Sequence, residues 1–226
     1  MIVIKNAKWR KALNILLPCA AIPAAALAGS MIVDDHLLVS FGVALLSLLY
    51  FITGFERKTT GTRRMVIVAV MTALCIAGRF IPFFKPVTAI TVIAAVYLGR
   101  ESGFLVGAMA ALLSNFYFGQ GPWTAFQMLS WGLIGWFAGL FADPLKRHRA
   151  LLLLYGVLSG IAYSLLMDVW TVMSFHGQFT LPLYLAAAAT SMPHMLLYAV
   201  SNFLFLWWMA KPFGDKLERI RIKYGI

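Results

Sequence analysis

Eight apolar runs, separated by short polar segments, account for most of the chain. They cover residues 12–31, 37–54, 65–82, 86–99, 103–118, 125–141, 150–173 and 184–210. Because lipid offers no hydrogen-bond partner to free backbone groups, runs this apolar are expected to form helices rather than open strands. A helix crosses the hydrocarbon core with about 20 residues, so the chain has room for about eight crossings. The pattern predicts an all-α integral membrane protein.

Composition supports this class. Hydrophobic residues make up 62% of the 226 residues and charged residues 12%, whereas a soluble domain carries about 25% charged residues. No stretch is long enough for a second, soluble domain, so we expect any ATP hydrolysis that drives this protein to take place on partner subunits. The formal net charge of +11 suggests nucleic-acid binding at first, but the positions of the cations argue against it.

The cations follow the predicted topology. When the loops are numbered alternately, 17 of the 19 lysines and arginines fall on one side of the membrane, together with both termini. By the positive-inside rule this side is the cytoplasm. We therefore predict a multi-pass protein of the cell membrane whose basic charge serves topology and can also attract anionic lipid. The two exceptions, Arg79 and Lys85, lie at the outer end of the third run.

The polar residues of the predicted outer face are concentrated at 115–124 and 127–132. A turn between two helices needs only residues such as Gly119, Gly121 and Pro122. The remaining amides and indoles exceed what a turn requires: Asn115, Gln120, Gln127, Trp123 and Trp131. Uncharged hydrogen-bonding groups that alternate with aromatic rings suit a small, flat, polar molecule better than an ion.

Arg79 and Asp168 are charged residues within predicted runs, where charge is costly and usually faces a bundle interior or an aqueous cavity. Arg79 could do so, or it could extend to the outer interface. Lys85, closer to the loop, is more typical of a residue that extends to the interface. Asp168 could pair with Arg79 and fix two helices, or it could accept a hydrogen bond from a ligand.

Patterns of catalytic and metal-binding residues are absent from the sequence. It contains no Gly-x-Ser-x-Gly, His-Glu-x-x-His or paired-aspartate motif, so we expect no enzyme activity. The four histidines are not spaced as metal ligands, and we expect neither a metal nor a cofactor. Cys19 and Cys75 lie in apolar runs and are interpreted as packing residues rather than as a disulfide.

Residues from about 64 to 210 resemble the substrate-binding S component of energy-coupling factor (ECF) vitamin transporters. The resemblance is carried by residues 71–79, 85–90 and 97–107 and, most specifically, by the string 114–124 with Gln127, Met128, Trp131 and Gly132. It implies six core helices within 64–226. The segment 1–63 is then an N-terminal addition with two further membrane helices.

The resemblance also implies a mechanism. An S component captures a vitamin outside, docks on a membrane coupling protein (the T component) that carries two ATPase subunits, and topples to release the vitamin inside. Ala73 and Ala77 match the family's docking motif. The vitamin is expected near the outer face, and the candidate contact residues are Arg79, Phe84, Lys85, Asn115, Tyr117, Gln120, Trp123, Gln127, Trp131, Asp168, Trp170 and His176.

The identity of the vitamin is the more open question. Aromatic faces beside amides suit a large, planar, amide-rich ligand, and the string 114–124 is most similar to cobalamin-specific members. Cobalamin and related corrinoids are therefore the leading prediction, and another vitamin or a nucleobase-like compound is the alternative. Outside the family, the competing interpretations are an ion-coupled secondary carrier, although no inverted repeat favours it, and a structural membrane protein without a ligand.

Overall fold

The computed structural model describes residues 6–32, 35–53, 58–176 and 179–225, and the regular elements in these ranges are all helical. In chain order they are α1 (Ala7–Leu16), α2 (Ile22–Ile32), α3 (His36–Thr53), α4 (Lys58–Gly78), α5 (Val87–Leu98), α6 (Arg100–Phe118), α7 (Trp123–Leu140), α8 (Ala142–Arg147), α9 (Arg149–His176) and α10 (Leu181–Tyr224). The predicted all-α membrane class is confirmed.

Each of the eight predicted runs corresponds to helix, and the informative differences lie at the ends. A π-helical turn, Leu17–Ala21, joins α1 and α2. α4 ends at Gly78, four residues before the predicted end. The chain reverses there through a tight segment in which Phe83 has a φ of 62°. Gly78 is required in this reversal because a Cβ atom would lie 2.4 Å from the Pro86 ring.

The last helix continues well beyond its predicted apolar run. α10 has 44 residues and runs to Tyr224, which corresponds to about 66 Å at 1.5 Å per residue. Pro193 and Pro212 lie inside it, and each removes one backbone hydrogen bond without ending the helix. The basic segment that follows residue 210 is therefore part of α10.

Four helices of the described ranges are long and apolar enough to cross a membrane. They are Lys8–Ala28, His36–Thr53, Arg149–Phe175 and Leu181–Tyr224. The 12-residue α5 extends over about 18 Å, short of the roughly 30 Å hydrocarbon core. The predicted helix near 86–99 is present, but it is shorter than a full crossing. A crossing here also needs the irregular segment 79–86, and such backbone is tolerated only where protein or a cavity surrounds it.

α5 is the centre of the bundle. All of its residues except Tyr97 are buried, and it packs against α4, α6, α7, α9 and α10. Around it, α6 and α7 approach each other through glycines, as small residues allow in membrane helices. A Cβ atom on Gly107 would lie 2.5 Å from the backbone oxygen of Trp131, and one on Gly135 would lie 2.4 Å from that of Gly103.

The N-terminal helices pack on the outside of this core, where α3 contacts α6 and α7 and α2 contacts α7. The ring of Tyr50 meets that of Phe104 edge to face at 5.5 Å. Thr53 Oγ1 donates to Asn14 Oδ1 at 2.6 Å and ties α3 to α1. The division of the chain at residue 63 stays a prediction, and α4 begins before it, at Lys58.

Candidate functional site

A buried amide joins three parts of the chain at the predicted outer end of the bundle. Asn115, in the last turn of α6, is 1% exposed. Its Oδ1 accepts from Arg79 Nη1 at 2.7 Å. Its Nδ2 donates to Thr124 Oγ1 and to Gln127 Oε1, each at 2.9 Å. The side chain thus fixes the ends of α6 and α7 against the segment that follows α4, and we call these four residues the Asn115 hub.

The loop between α6 and α7 is held by its own polar groups. Gly119 has a φ of 106°, a conformation that favours glycine. Gln120 Nε2 donates to the carbonyl of Leu112, and Gln120 Oε1 accepts from Thr124 Oγ1, both at 2.9 Å. Gln120 was predicted to contact the ligand, but both ends of its amide form hydrogen bonds within the protein. Its role here is to hold Thr124 in the hub.

Arg79 and Lys85 face the same aromatic ring. The guanidinium carbon of Arg79 lies 4.8 Å from the centroid of Phe118, and Lys85 Nζ lies 5.6 Å from it. Arg79 Nη1 also donates to Ser114 Oγ, and its guanidinium stands 5.5 Å from the Trp131 ring.

Trp131 forms the floor of this region. It is 2% exposed, and its Nε1 donates to Thr88 Oγ1 at 3.2 Å. Its ring stacks on that of Tyr163 at 4.8 Å with 16° between the planes. Trp131 is thus held by α5 and α9 while the Arg79 guanidinium lies over its ring.

Exposed aromatic side chains lie at the predicted outer end of the bundle. Phe80 lies 4.7 Å from Tyr117 and 5.0 Å from Phe118, between ring centroids. Tyr117 is 73% exposed, and Phe84 is also exposed. We call Phe80, Tyr117 and Phe118 the aromatic rim; an aqueous ligand would meet it first.

A second aromatic group joins α7 to α9. Trp123 and Trp170 meet edge to face at 5.9 Å, and Phe175 lies 6.4 Å from Trp170. In the described part of the chain, the buried Nε1 of Trp170 has no hydrogen-bond partner. The side chain of His176, the last residue of α9, lies outside the described part. An unpaired buried N–H next to an aromatic pair is available to a ligand carbonyl.

Asp168 does not join the hub. It is buried and accepts from Ser191 Oγ of α10 at 2.7 Å. Among the residues described, it forms no ion pair with Arg79, so that expected alternative is not realised. The rotation of α9 about its axis explains this. Tyr163 and Trp170 are seven residues apart and share the face of α9 that packs against α7. Asp168 lies on a different face of the same helix.

Several residues of the site were not among the predicted contacts. Ser114 and Phe118 contact Arg79, Thr124 belongs to the hub, and Phe80 belongs to the aromatic rim. Ser114 and Phe118 are four residues apart and therefore share a helix face. That spacing beside Asn115 was the available signal in the sequence.

The predicted docking residues Ala73 and Ala77 are both exposed. Ala73 lines an apolar groove of about 460 Å³ between α3, α4 and α6. Two smaller cavities, of about 260 and 300 Å³, lie at the opposite end of α5 around Tyr97 and Lys146. The exposure of the two alanines meets the steric requirement for helix docking, and docking itself stays a prediction.

Comparison with known families identifies the chain. Residues 59–211, about two thirds of the chain, match the family described as ECF-type riboflavin transporter, S component. No curated protein and no solved structure was found to match. The matched residues include α5, α6, α7 and α9, the Asn115 hub and the aromatic rim. By this match, the chain belongs to the family of ECF-type riboflavin transporter S components.

Proposed function

We propose that this protein captures its vitamin at the outer end of the bundle, between the aromatic rim and the Asn115 hub. As an S component it is a vitamin-binding transport subunit and not an enzyme. The observation that carries the proposal is the buried Asn115, which joins a cation, an amide and a hydroxyl directly below exposed aromatic rings. Buried polar groups are costly in lipid and usually mark a functional site.

The chemistry of the region favours a planar ligand. Aromatic rings offer stacking surface for a conjugated ring system. The hub contains two side-chain amides, those of Asn115 and Gln127. Gln127, in α7, is partly exposed. Its Oε1 accepts from Asn115, so its Nε2 group is the part of the amide that would donate to a ligand carbonyl.

Two vitamins are proposed as substrates on different grounds. Cobalamin, a large corrinoid with many amides, is the first proposal because the string 114–124 is most similar to cobalamin-specific members. Riboflavin is the second because the family description names it, and because its flat ring ends in an imide that pairs well with amides. Cobalamin is much the larger ligand, so its entry requires the rim residues to separate further.

We expect cobalamin to raise the melting temperature of the purified protein without ATP. A ligand at 100 times its Kd stabilises the folded state by about 2.7 kcal/mol. Protein prepared from cells supplied with both vitamins is expected to carry the red absorption of a corrinoid. A yellow flavin spectrum, with a thermal shift for riboflavin alone, would assign riboflavin instead. If no member of a vitamin panel shifts the melting temperature, the proposed function is wrong.

Release is proposed to depend on partners, a T component with two ATPases, that dock at Ala73 and Ala77. Ala73→Trp or Ala77→Trp is expected to abolish uptake in cells that contain the coupling module, because a bulky indole prevents close helix approach. Vitamin affinity of the purified variants should stay unchanged, because neither alanine lies in the Asn115 hub or the aromatic rim.

Ala189→Trp is the matched control, since it places the same indole at an exposed alanine of α10. It is expected to leave uptake intact. Equal loss of affinity and uptake in the Ala73 and Ala77 variants would contradict the docking assignment. Uptake without any coupling module would indicate an ion-coupled carrier instead.

A further inference from the structure

The region between the aromatic rim and the hub holds two cations and, among the described residues, no acid that is paired with either of them. Arg79 and Lys85 both lie within 6 Å of the Phe118 centroid. Within residues 6–32, 35–53, 58–176 and 179–225, no carboxylate forms an ion pair with either of them. Asp168 on α9, which was an expected partner of Arg79, accepts from Ser191 instead. Two like charges therefore lie beside the same aromatic ring.

The hydrogen-bond and ring partners that the structure describes for Arg79 are neutral. Its hydrogen bonds go to a serine hydroxyl and an asparagine amide, and its ring contacts are Phe118 and Trp131. A partly buried cation loses hydration that such partners only partly replace.

Arg79 also has unused donors with a defined geometry. A guanidinium carries five N–H groups. The two on Nη1 donate to Ser114 and Asn115, and in the described part of the chain Nε and Nη2 donate to no protein atom. These two nitrogens form the fork that binds a carboxylate or a phosphate through two parallel hydrogen bonds. The hub holds the other side of the guanidinium, so the fork is oriented before a ligand arrives.

We propose that Arg79 and Lys85 form a subsite for an anionic group of the substrate, a phosphate ester or a carboxylate. Arg79 supplies the planar fork and Lys85 a second positive charge. The inference rests on the proposed function, because the subsite belongs to the same outer site. It names a substrate class: a vitamin that carries a negative group beside its ring system is preferred over its uncharged analogue.

Matched pairs of ligands test this directly. Suitable pairs are riboflavin and riboflavin 5′-phosphate, pantothenol and pantothenate, and dicyanocobinamide and cyanocobalamin, whose nucleotide loop adds a phosphodiester. Binding to the full chain is measured by calorimetry at low and high salt. In the pair that binds, the anionic member is expected to bind about 10- to 100-fold more tightly, as a hydrogen-bonded charge pair predicts. High salt should weaken only the anionic member.

Arg79→Gln and Lys85→Gln replace each cation with an uncharged polar side chain. Arg79→Lys keeps the positive charge but removes the planar pair of N–H donors. Arg79→Gln is expected to abolish the preference for the anionic member. Because Arg79 also belongs to the Asn115 hub, this variant should weaken the binding of both members, so the ratio of the two affinities is the readout. Arg79→Lys should retain part of the preference. Arg147→Gln, at an exposed cation of α8, is the control and should change neither affinity. Melting temperatures without ligand verify that each variant is folded, and Lys85→Gln provides an independent test.

The outcomes separate the two proposals. If no vitamin binds, the proposed function fails. If a vitamin binds but its neutral and anionic analogues bind equally in wild type, or if the preference survives both Arg79→Gln and Lys85→Gln, the anionic subsite is wrong and the proposed function stands. A third result would also overturn the subsite. In it, nanodiscs of phosphatidylglycerol stabilise the protein more than nanodiscs of phosphatidylcholine, this difference depends on Arg79, and anionic and neutral vitamins bind equally. That result would assign the anion to a lipid headgroup.

Discussion

Replacing Asn115 with leucine is expected to abolish high-affinity vitamin binding. The two side chains have similar volume, but leucine cannot accept from Arg79 or donate to Thr124 and Gln127. A hydrogen bond to a charged group contributes about 1.5–3 kcal/mol. Loss of the whole hub should therefore weaken binding by about 100-fold or more, and the unpaired groups should lower the free energy of unfolding by about 2–4 kcal/mol. Calorimetry and thermal unfolding measure the two effects.

Asn202→Leu is the matched control for this change. Asn202 is also fully buried, and its Nδ2 donates to the carbonyl of Gly156 at 3.0 Å, between α10 and α9. Its replacement should lower stability and leave vitamin affinity unchanged. If the Asn115 variant binds vitamin with wild-type affinity, the hub is only a structural element and the site lies elsewhere.

Gly107→Ala is expected to destabilise the protein strongly, although it adds only one methyl group. The added Cβ atom would lie 2.5 Å from the oxygen and 2.6 Å from the carbon of the Trp131 backbone. Main-chain atoms in the middle of α7 cannot move alone, so the two helices must separate. We expect a loss of about 3 kcal/mol, which lowers the melting temperature of a chain of this size by about 6–12 °C.

Gly42→Ala isolates the steric cause. A Cβ atom on Gly42, in α3, has no neighbour within 4 Å, and alanine favours helix over glycine by about 1 kcal/mol. The melting temperature of this variant should stay constant or rise. A large fall for Gly42→Ala, or none for Gly107→Ala, would contradict the close crossing of α6 and α7.

The helices could be predicted from the sequence because a long apolar run in lipid must pair its own backbone groups, and a helix does so within one segment. Their ends were less predictable. The end of α4 depends on contact between Gly78 and Pro86 across a reversal, and hydropathy does not report such a contact. The extension of α10 past residue 210 was not predicted either. Hydropathy detects only apolar segments, so it does not show that a charged segment continues the same helix.

The candidate site was predictable in its composition but not in its pairing. Amides and indoles between two apolar runs indicated a polar site, and Asn115, Gln127 and Trp131 do lie together. Which group meets which depends on how each helix is rotated about its axis. Asp168 contacts Ser191 rather than Arg79 for this reason, and a single sequence contains no measure of that rotation.

The length of α10 limits how the molecule can turn within a membrane. Its polar end carries Lys211, Lys216, Arg219, Arg221 and Lys223, and this end is continuous with the apolar part. Moving each cation into hydrocarbon costs about 2.5–3.5 kcal/mol, so the end resists entry with a cost on the order of 10 kcal/mol. Any large tilt must therefore pivot about this basic end. Since α10 is one continuous helix, the arc is widest at its opposite end, near Leu181.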